Sequence, residues 1–200
     1  MECLSSITAS TSDDCAKGSK SEKQVKMKVI TAPNEYILEK DEISVFLAGG
    51  ITNCPNWQED IINRLENLST DKLVVFNPRR ENFPIHDPSA SYQQIEWEFK
   101  ALENANIFSM YFSSGVSDQP ICMYELGRNL VKMQIKNPTD WKNRIVISTE
   151  EGYKRKQDIL IQTELACGDL FINTQINDSV LKDYHAEMIV KAYKKLLYKR

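Results

Sequence analysis

The apolar residues of this chain follow two alternating patterns, one typical of buried strands and one typical of helices. Ile43 to Ala48 form an apolar run that ends at Gly49 and Gly50, as expected of a strand buried on both faces. The apolar side chains that follow recur at helical spacing, which predicts an amphipathic helix carrying Trp57, Ile61, Leu65 and Leu68. Together the two patterns predict a strand and a helix that packs back on the sheet.

The same alternation continues to the end of the chain. Short apolar runs predict strands at 73–76, 107–112, 145–147 and 169–172, and a polar loop is expected at 78–90. Helical spacing predicts the intervening helices, which are marked by Ile95, Phe99 and Leu102, by Leu126, Leu130 and Met133, by residues 153–166, and by Tyr184, Met188, Ala192 and Leu196. Because parallel strands need crossover helices, we predict an α/β fold with a doubly wound, about five-stranded parallel sheet and helices on both faces.

Residues 1–24 differ from the rest of the chain in composition. They are rich in Ser, Thr, Asp and Lys and carry few large apolar side chains. Such a segment buries too little apolar surface to offset its chain entropy. We therefore expect a disordered tail at 1–24 and one folded domain at 25–200.

Composition also narrows the function classes. The net charge of −3 gives no general attraction to nucleic acid or to an anionic membrane. The five cysteines form no C-x-x-C pair and only two histidines are present, so neither a metal site nor a disulfide framework is expected. The sequence has no apolar run of membrane-spanning length and no signal-peptide core, and free cysteines suit a reducing compartment. We expect a cytoplasmic protein.

Two polar segments follow predicted strands, where doubly wound sheets bind their ligands. Glycines after the first strand allow close approach of the backbone to a ligand, although a tight strand-to-helix turn explains the same pattern. The arginines after the second strand can grip a phosphate or carboxylate, or they are simply solvated or salt-bridged. Neither segment matches a dinucleotide-binding or P-loop motif. The candidate binding residues are Gly49, Gly50, Ile51, Thr52, Asn53, Asn77, Arg79 and Arg80.

Two carboxylates are candidates for chemistry. Glu98 lies in the second predicted helix, at the edge of its core-facing side, where a plain surface residue is equally expected. Glu125 lies in the early turns of the helix that begins at Pro120, where the helix N-terminus favours the ionised form. An ionised carboxylate there can act as a nucleophile at an anomeric carbon, or it can pair with Arg128. Gly127 removes a side chain where a ring or backbone can come close.

Four motifs in this order resemble the nucleoside 2-deoxyribosyltransferase-like family, over about Val45 to Ile147. They are the strand end FLAGGI with Trp57 soon after, the loop NPRR, the segment IEWEFKALENAN and the helix start PICMYELG. The resemblance implies a flavodoxin-like sheet and an oligomer in which a neighbour completes the pocket. It also implies that Glu125 is the nucleophile, that Glu98 helps to set the site, and that the glycine turn lies against the sugar or its 5′ substituent.

One position departs from the family's pattern. Where members carry an aspartate six residues before the nucleophile, this chain has Gln119. Asp118 is the adjacent residue, and a shift of the loop would let it serve in that place. The departure bears on how the leaving base receives its proton.

These residues predict cleavage of the N-glycosidic bond of a (deoxy)nucleoside, with transfer of the deoxyribosyl group to another base or to water through a covalent glycosyl-Glu125 intermediate. Two alternatives stay open: a nucleoside 5′-monophosphate N-glycosidase, and a nucleotide-binding or signalling module without turnover. No metal or organic cofactor is needed. The expected partners are a nucleoside or nucleotide and further copies of the chain in a homodimer or larger homo-oligomer, with Tyr153 to Asp158 where a neighbour could complete the pocket.

Overall fold

The computed structural model describes residues 27–68 and 70–199, so the tail predicted at 1–24 lies outside the described residues. Strands and helices alternate along this part of the chain, and a short 3-10 helix at Trp141–Arg144 precedes the fifth strand. The elements are β1 (Lys28–Thr31), β2 (Ile43–Gly49), α1 (Trp57–Glu66), β3 (Leu73–Asn77), α2 (Pro88–Asn104), β4 (Ile107–Phe112), α3 (Pro120–Lys136), β5 (Ile145–Thr149), α4 (Lys156–Cys167), β6 (Ile172–Asn173) and α5 (Asp178–Leu197).

The described strands form one parallel sheet in the order β1-β3-β2-β4-β5-β6. Without β1 this is the order 2-1-3-4-5 of flavodoxin-like sheets, which confirms the predicted fold class. The strand count is six rather than about five. The extra strand, β1, spans only four residues at an edge of the sheet and is only partly buried, so its sequence lacks the apolar run of a central strand.

The helices divide between the two faces of the sheet, and the strand residues divide with them. Val45 and Leu47 of β2 share a core with α1 and α5, whereas Phe46 and Ala48 share the other core with α2, α3 and α4. This follows from the alternation of side chains along a strand, which gives each face its own apolar layer. Both faces are covered, as the continuous apolar strands predicted.

Helix α2 differs from its predicted form in extent and in orientation. It begins at Pro88, inside the predicted loop, and the Asp87 side chain accepts a 2.8 Å hydrogen bond from the Ser89 N–H to cap it. Its core side carries Trp97, and the expectation that Ile95 and Phe99 face the core is wrong, because they are 65% and 53% exposed. Periodicity could not choose between these stripes, since both have helical spacing.

Two kinds of feature are not found in the part of the chain that the structure describes. None of its helices is both long enough and apolar enough to cross a membrane. Among residues 27–68 and 70–199, no three His, Cys, Asp or Glu side chains are grouped so that they could hold a metal ion.

Candidate active site

The candidate site lies where the strand order reverses. The carboxyl ends of β2 and β4 are neighbours in the sheet, but α1 and α3, which follow them, pack on opposite faces. The chain diverges there and leaves a crevice, the usual ligand position in a doubly wound sheet. A cavity of about 280 Å³ occupies it. Its walls include six residues predicted from the sequence, namely Gly49, Gly50, Ile51, Thr52, Glu98 and Glu125.

A larger groove, of about 570 Å³, lies at the amino ends of β5 and β6. Its walls carry charges of both signs, including Lys142, Asp169, Glu187 and Lys191. Lys142 and Asp169 already form an ion pair with each other. Because doubly wound sheets bind ligands at the opposite edge, volume alone does not make this groove the active site.

Glu98 and Glu125 approach the cavity from two different helices. Glu98 lies on α2, and its carboxylate accepts a 2.7 Å hydrogen bond from the Gln94 amide nitrogen, which also donates to the Pro78 carbonyl at 2.7 Å. Glu125 lies on α3 and shares the cavity wall with Glu98. Within residues 27–68 and 70–199 the Glu125 carboxylate receives no hydrogen bond. The structure therefore brings together the two acids that the sequence proposed for chemistry.

Burial controls the ionisation of this pair. Burial, together with the negative charge of Glu98, raises the pKa of Glu125 to about 7, and Arg128 opposes the rise. Burial also raises the pKa of Glu98, but the hydrogen bond from Gln94 and the charge of Arg80 oppose that shift. The sequence argument that the helix start keeps Glu125 ionised does not hold, because the residue lies more than one turn inside α3, where the terminal field has faded.

The turn after β2 needs glycine at two successive positions. A Cβ atom on Gly49 would lie 2.3 Å from the Tyr111 carbonyl oxygen and 2.5 Å from the Trp57 ring, and the φ of Gly49 is +152°. A Cβ on Gly50 would lie 2.4 Å from the Cys54 sulfur. The Trp57 indole N–H donates to the Gly50 carbonyl at 2.9 Å and fixes the turn against α1. Glycine thus allows the protein to pack tightly around the turn that forms one wall of the cavity.

Arg79 points into the protein and holds the same turn. Its Nε donates to the Gln58 side-chain oxygen at 2.8 Å, and one terminal nitrogen donates to the carbonyls of Pro55 at 2.9 Å and Gly50 at 3.2 Å. Burial lowers the pKa of this guanidinium. The Asn77 side chain accepts the Arg79 N–H at 3.0 Å and so shapes the backbone that presents it. Nε and one terminal nitrogen of the Arg79 guanidinium are therefore already hydrogen-bonded within the chain.

Arg80, the next residue, has a different environment. Its guanidinium donates to the Gln93 side chain at 2.8 Å and lies 5.6 Å from the centre of the Phe83 ring. It also lies close enough to Glu98 to favour the charged form of that acid. Arg80 therefore belongs to the carboxylate side of the site, and Arg79 to the turn.

Gln119 is a structural link between the two loops of the cavity. It is 3% exposed and has a left-handed backbone with φ +49°. Its amide nitrogen donates to the Ser113 carbonyl at 2.7 Å, and its oxygen accepts the Gly50 N–H at 3.2 Å. Asp118 is not brought into the cavity: its carboxylate is 66% exposed and lies 3.5 Å from the Lys154 amine. A carboxamide does not titrate, so Glu98 and Glu125 are the titratable candidates that remain in the walls of the cavity.

Two other predicted residues lie outside the walls of the cavity. Gly127 is on the exposed side of α3, and an added Cβ there would meet nothing within 4 Å in this chain. Asn53 is exposed and adopts φ +58° in the turn.

The sequence argument missed several residues at this edge of the sheet. Pro78, Ser117 and Cys122 line the cavity, and Glu150 supports the loop after β4. Glu150 could be predicted from the sequence, because it directly follows β5 at the ligand edge of the sheet.

Fold and cavity together define a flavodoxin-like α/β protein with two carboxylates in its ligand crevice. The chain matches the family described as "Nucleoside 2-deoxyribosyltransferase like" over residues 42–136, slightly less than half of its length. The matched segment runs from the start of β2 to the end of α3 and includes both acids and the glycine turn. This confirms the resemblance and supports a nucleoside deoxyribosyltransferase-like function. A search of curated proteins found no match to the chain.

Proposed function

We propose that the protein cleaves the N-glycosidic bond of a nucleoside or nucleotide bound between the glycine turn and α3. The observation that carries the proposal is the pair of acids, Glu98 and Glu125, in the walls of one cavity inside the matched family segment. Burial raises the pKa of both acids, and the charge of Glu98 adds to the rise at Glu125, which is typical of catalytic sites. A sugar placed between them would have a nucleophile and a proton donor within one pocket.

The proposed reaction has two steps. First, a Glu125 carboxylate oxygen bonds to the anomeric carbon while the carbon–nitrogen bond breaks, and the base leaves with that electron pair and a proton. Second, water or another base attacks the same carbon and gives up a proton to Glu98, and Glu125 leaves as a carboxylate. Water gives hydrolysis and a second base gives transfer. Both steps use only side chains of the described site and the substrates.

The proton for the leaving base comes from the acid pair. The pKa of Glu125 is about 7, raised in part by the charge of Glu98, so a proton shared by the two carboxyl groups is lost as pH rises through about 7. The reactive form has the charge on Glu125 and the proton on Glu98. Gln119 cannot take this part, since its carboxamide is neutral and both of its ends are hydrogen-bonded to the chain.

The cleavage of a nucleoside 5′-monophosphate is the closest alternative. The sequence argument for it relied on two arginines, and Arg79 is now committed to the turn. Arg80 remains as a cation near the carboxylates.

A nucleotide-binding module without turnover is favoured by one observation, the use of Gln119 as a structural link instead of an acid. A panel of nucleosides and nucleoside 5′-monophosphates, with and without an acceptor base, separates the three functions. Release of free base supports the enzyme, new nucleoside with an acceptor supports transfer, and binding without release supports the module. Mass spectrometry of quenched reactions should show a sugar adduct on the peptide that contains Glu125. Turnover without that adduct would argue against the covalent step.

We also propose that the protein is a homodimer or larger homo-oligomer, assembled through an apolar face on α2 and α3. The two helices are in contact, with the Arg128 guanidinium 4.5 Å from the Phe99 ring. Large apolar side chains that are each more than half exposed cover their outer side, and monomers rarely leave so many side by side. They are Tyr92, Ile95, Phe99, Ile121, Tyr124, Val131 and Ile135.

This face replaces the segment at Tyr153 to Asp158 as the main candidate for contact with a neighbour. Tyr153 is buried, and its hydroxyl donates to the Asp118 carbonyl at 3.0 Å, while the Lys154 amine donates to the Val116 carbonyl at 3.3 Å. The segment packs on its own chain. Ile121, in contrast, belongs both to the apolar face and to the cavity wall, so a neighbour on this face would reach the site.

The assembly is tested by light scattering at micromolar concentration. Tyr124→Asp should shift the protein to a smaller mass, because it buries a charge in the interface. Tyr198→Asp is the matched control, since Tyr198 is 84% exposed and lies just beyond α5. A wild-type mass equal to one chain would overturn the proposal.

A further inference from the structure

Glu150 is a buried acid that the proposed reaction does not use. It directly follows β5 and is 3% exposed. One carboxylate oxygen accepts the Tyr111 hydroxyl at 2.8 Å, and the other accepts the Ser114 backbone N–H at 2.5 Å and the Ser114 hydroxyl at 2.6 Å. Hydrogen bonds to an ionised acceptor are about twice as strong as those between neutral groups. The start of the loop after β4 is therefore fastened to the end of β5.

The far end of that loop is fastened to the glycine turn. The Gln119 amide donates to Ser113, next to the residue that Glu150 holds, and it accepts the Gly50 N–H. Two residues of the loop, Ser117 and Gln119, form part of the cavity wall. A continuous set of hydrogen bonds thus runs from Glu150 through the loop 113–119 to the turn on the other side of the cavity.

We propose that Glu150 is a positioning residue, which sets the shape of the cavity by holding the loop 113–119 through Ser114. Its effect reaches the glycine turn through Gln119. The consequence for base release rests on the proposed function, whereas the ordering of the loop does not depend on it. Glu150 touches no part of the cavity itself, so its role differs from that of Glu98 and Glu125.

The chemistry of the three donors predicts how substitutions at this position behave. Glutamine keeps one oxygen for Ser114, and its NH₂ group can donate to Tyr111, because a phenol oxygen accepts as well as donates. Alanine removes every acceptor and leaves the Ser114 N–H without a partner. Tyr111→Phe is a matched control, since it removes one hydrogen bond to Glu150 and leaves Ser114 held.

Hydrogen exchange of the full-length protein, followed by mass spectrometry, measures the loop directly. Glu150→Ala should speed exchange across 113–119 by about tenfold or more, whereas Glu150→Gln and Tyr111→Phe should stay close to wild type. In the base-release assay Glu150→Ala should lower kcat/KM by about 10- to 100-fold, since displaced walls misplace the substrate. The pH profile of kcat/KM should not move, because Glu150 lies outside the cavity and takes no part in the proposed reaction.

The outcomes separate the two proposals. Faster exchange at 113–119 supports the role of Glu150 whether or not any nucleoside is cleaved, while absence of base release from wild type counts only against the proposed function. If Glu150→Ala fails to fold, Ser114→Ala takes its place, because it removes the hydroxyl hydrogen bond alone and should give a smaller increase in exchange within the same loop. Unchanged exchange across 113–119 in the folded variant that is measured would overturn the positioning role.

Discussion

Two acids at the same edge of the sheet, the buried Glu150 and the half-buried Glu125, have opposite surroundings. Glu150 accepts three hydrogen bonds, from Tyr111 and from both donors of Ser114, at 2.5 to 2.8 Å. Glu125 accepts none from the described residues, faces a second acid, and has its pKa raised to about 7. Buried polar groups in proteins are normally paired, so the paired acid belongs to the framework and the unpaired one is the candidate for chemistry.

The adjacent arginines repeat this contrast. Arg79 spends its guanidinium on Gln58 and on carbonyls of the glycine turn, and Arg80 lies beside Gln93 and near Glu98. The two adjacent arginines thus have different roles: Arg79 holds the glycine turn, and Arg80 lies beside the acids of the candidate site. The contacts that each side chain makes, rather than its residue type, should decide whether a substitution lowers stability or turnover.

The largest expected effect is on turnover and follows from Glu125. Glu125→Gln keeps the size of the side chain and removes the nucleophilic oxygen charge, so base release should fall by about 10⁴-fold or more. Substrate binding should remain within a few fold of wild type. The measurement is chromatographic detection of free base, together with a binding assay for the same ligand.

Glu164→Gln is the matched control for this test, because Glu164 is an exposed helical glutamate away from the cavity. It should keep the full rate. If Glu125→Gln retained near-normal turnover, the covalent mechanism would be wrong. The absence of hydrogen bonds to Glu125 would then not mark it as a catalytic acid.

The next largest effect concerns folding and separates the two arginines. Arg79→Ala removes charged hydrogen bonds from Gln58 and from the carbonyls of Gly50 and Pro55, and the free energy of unfolding should fall by about 3 kcal/mol. Arg80→Ala should cost less than about 1 kcal/mol, because Arg80 donates one hydrogen bond to Gln93, lies over the Phe83 ring and acts on Glu98 through its charge alone. Urea denaturation of both variants measures the difference. Equal losses of unfolding free energy in the two variants would show that the hydrogen bonds of Arg79 do not stabilise the glycine turn.

Arg79→Lys sharpens this comparison. Lysine keeps the positive charge but cannot reproduce the fork that reaches Gln58 and the turn carbonyls together. Most of the loss in stability should therefore remain. Full recovery with lysine would mean that charge alone matters at this position.

The sequence predicted the framework of this molecule better than its electrostatics. The apolar runs of β2, β3 and β4 identified the sheet and its ligand edge, since a strand buried on both faces has an unambiguous pattern. The exposed apolar face of α2 was assigned to the core, because helical periodicity does not show which of two apolar stripes meets the sheet.

The site was predicted in part for the same physical reason. Position beyond a strand identified Gly50 and Glu125, and the family resemblance identified Glu98, whereas the orientations of Arg79 and Asp118 depend on contacts between distant segments. The raised pKa of Glu125 was also out of reach, since it comes from burial and from an acid on another helix. Neither the orientation of these side chains nor the pKa of Glu125 can be predicted from the residues next to them in the sequence.

The third prediction concerns stability and tests the raised pKa of the Glu125 carboxyl group. The folded protein holds the pKa of this acid near 7, above its unfolded value, so wild type is fully stabilised at low pH and loses stability as pH rises through 7. Glu125→Gln has no such loss. It should exceed wild type by about 3 kcal/mol at pH 8 and match it near pH 4. Urea denaturation at both pH values is the measurement, and a constant difference would contradict the assignment.

The smallest effect separates the two acids from each other. The form that reacts carries one proton on the acid pair, with Glu125 ionised, so kcat/KM for base release should fall as pH rises through about 7 and that proton is lost. The charge of Glu98 is one cause of that high pKa, and Glu98→Gln removes it. The fall near pH 7 should then disappear, because Glu98 no longer holds a proton to lose, while the maximal rate drops because the proton donor is gone. Glu96→Gln, on the exposed side of the same helix, should leave the profile in place. A profile that does not move in Glu98→Gln would show that the two acids titrate independently, and the proton for the leaving base would then have to come from elsewhere.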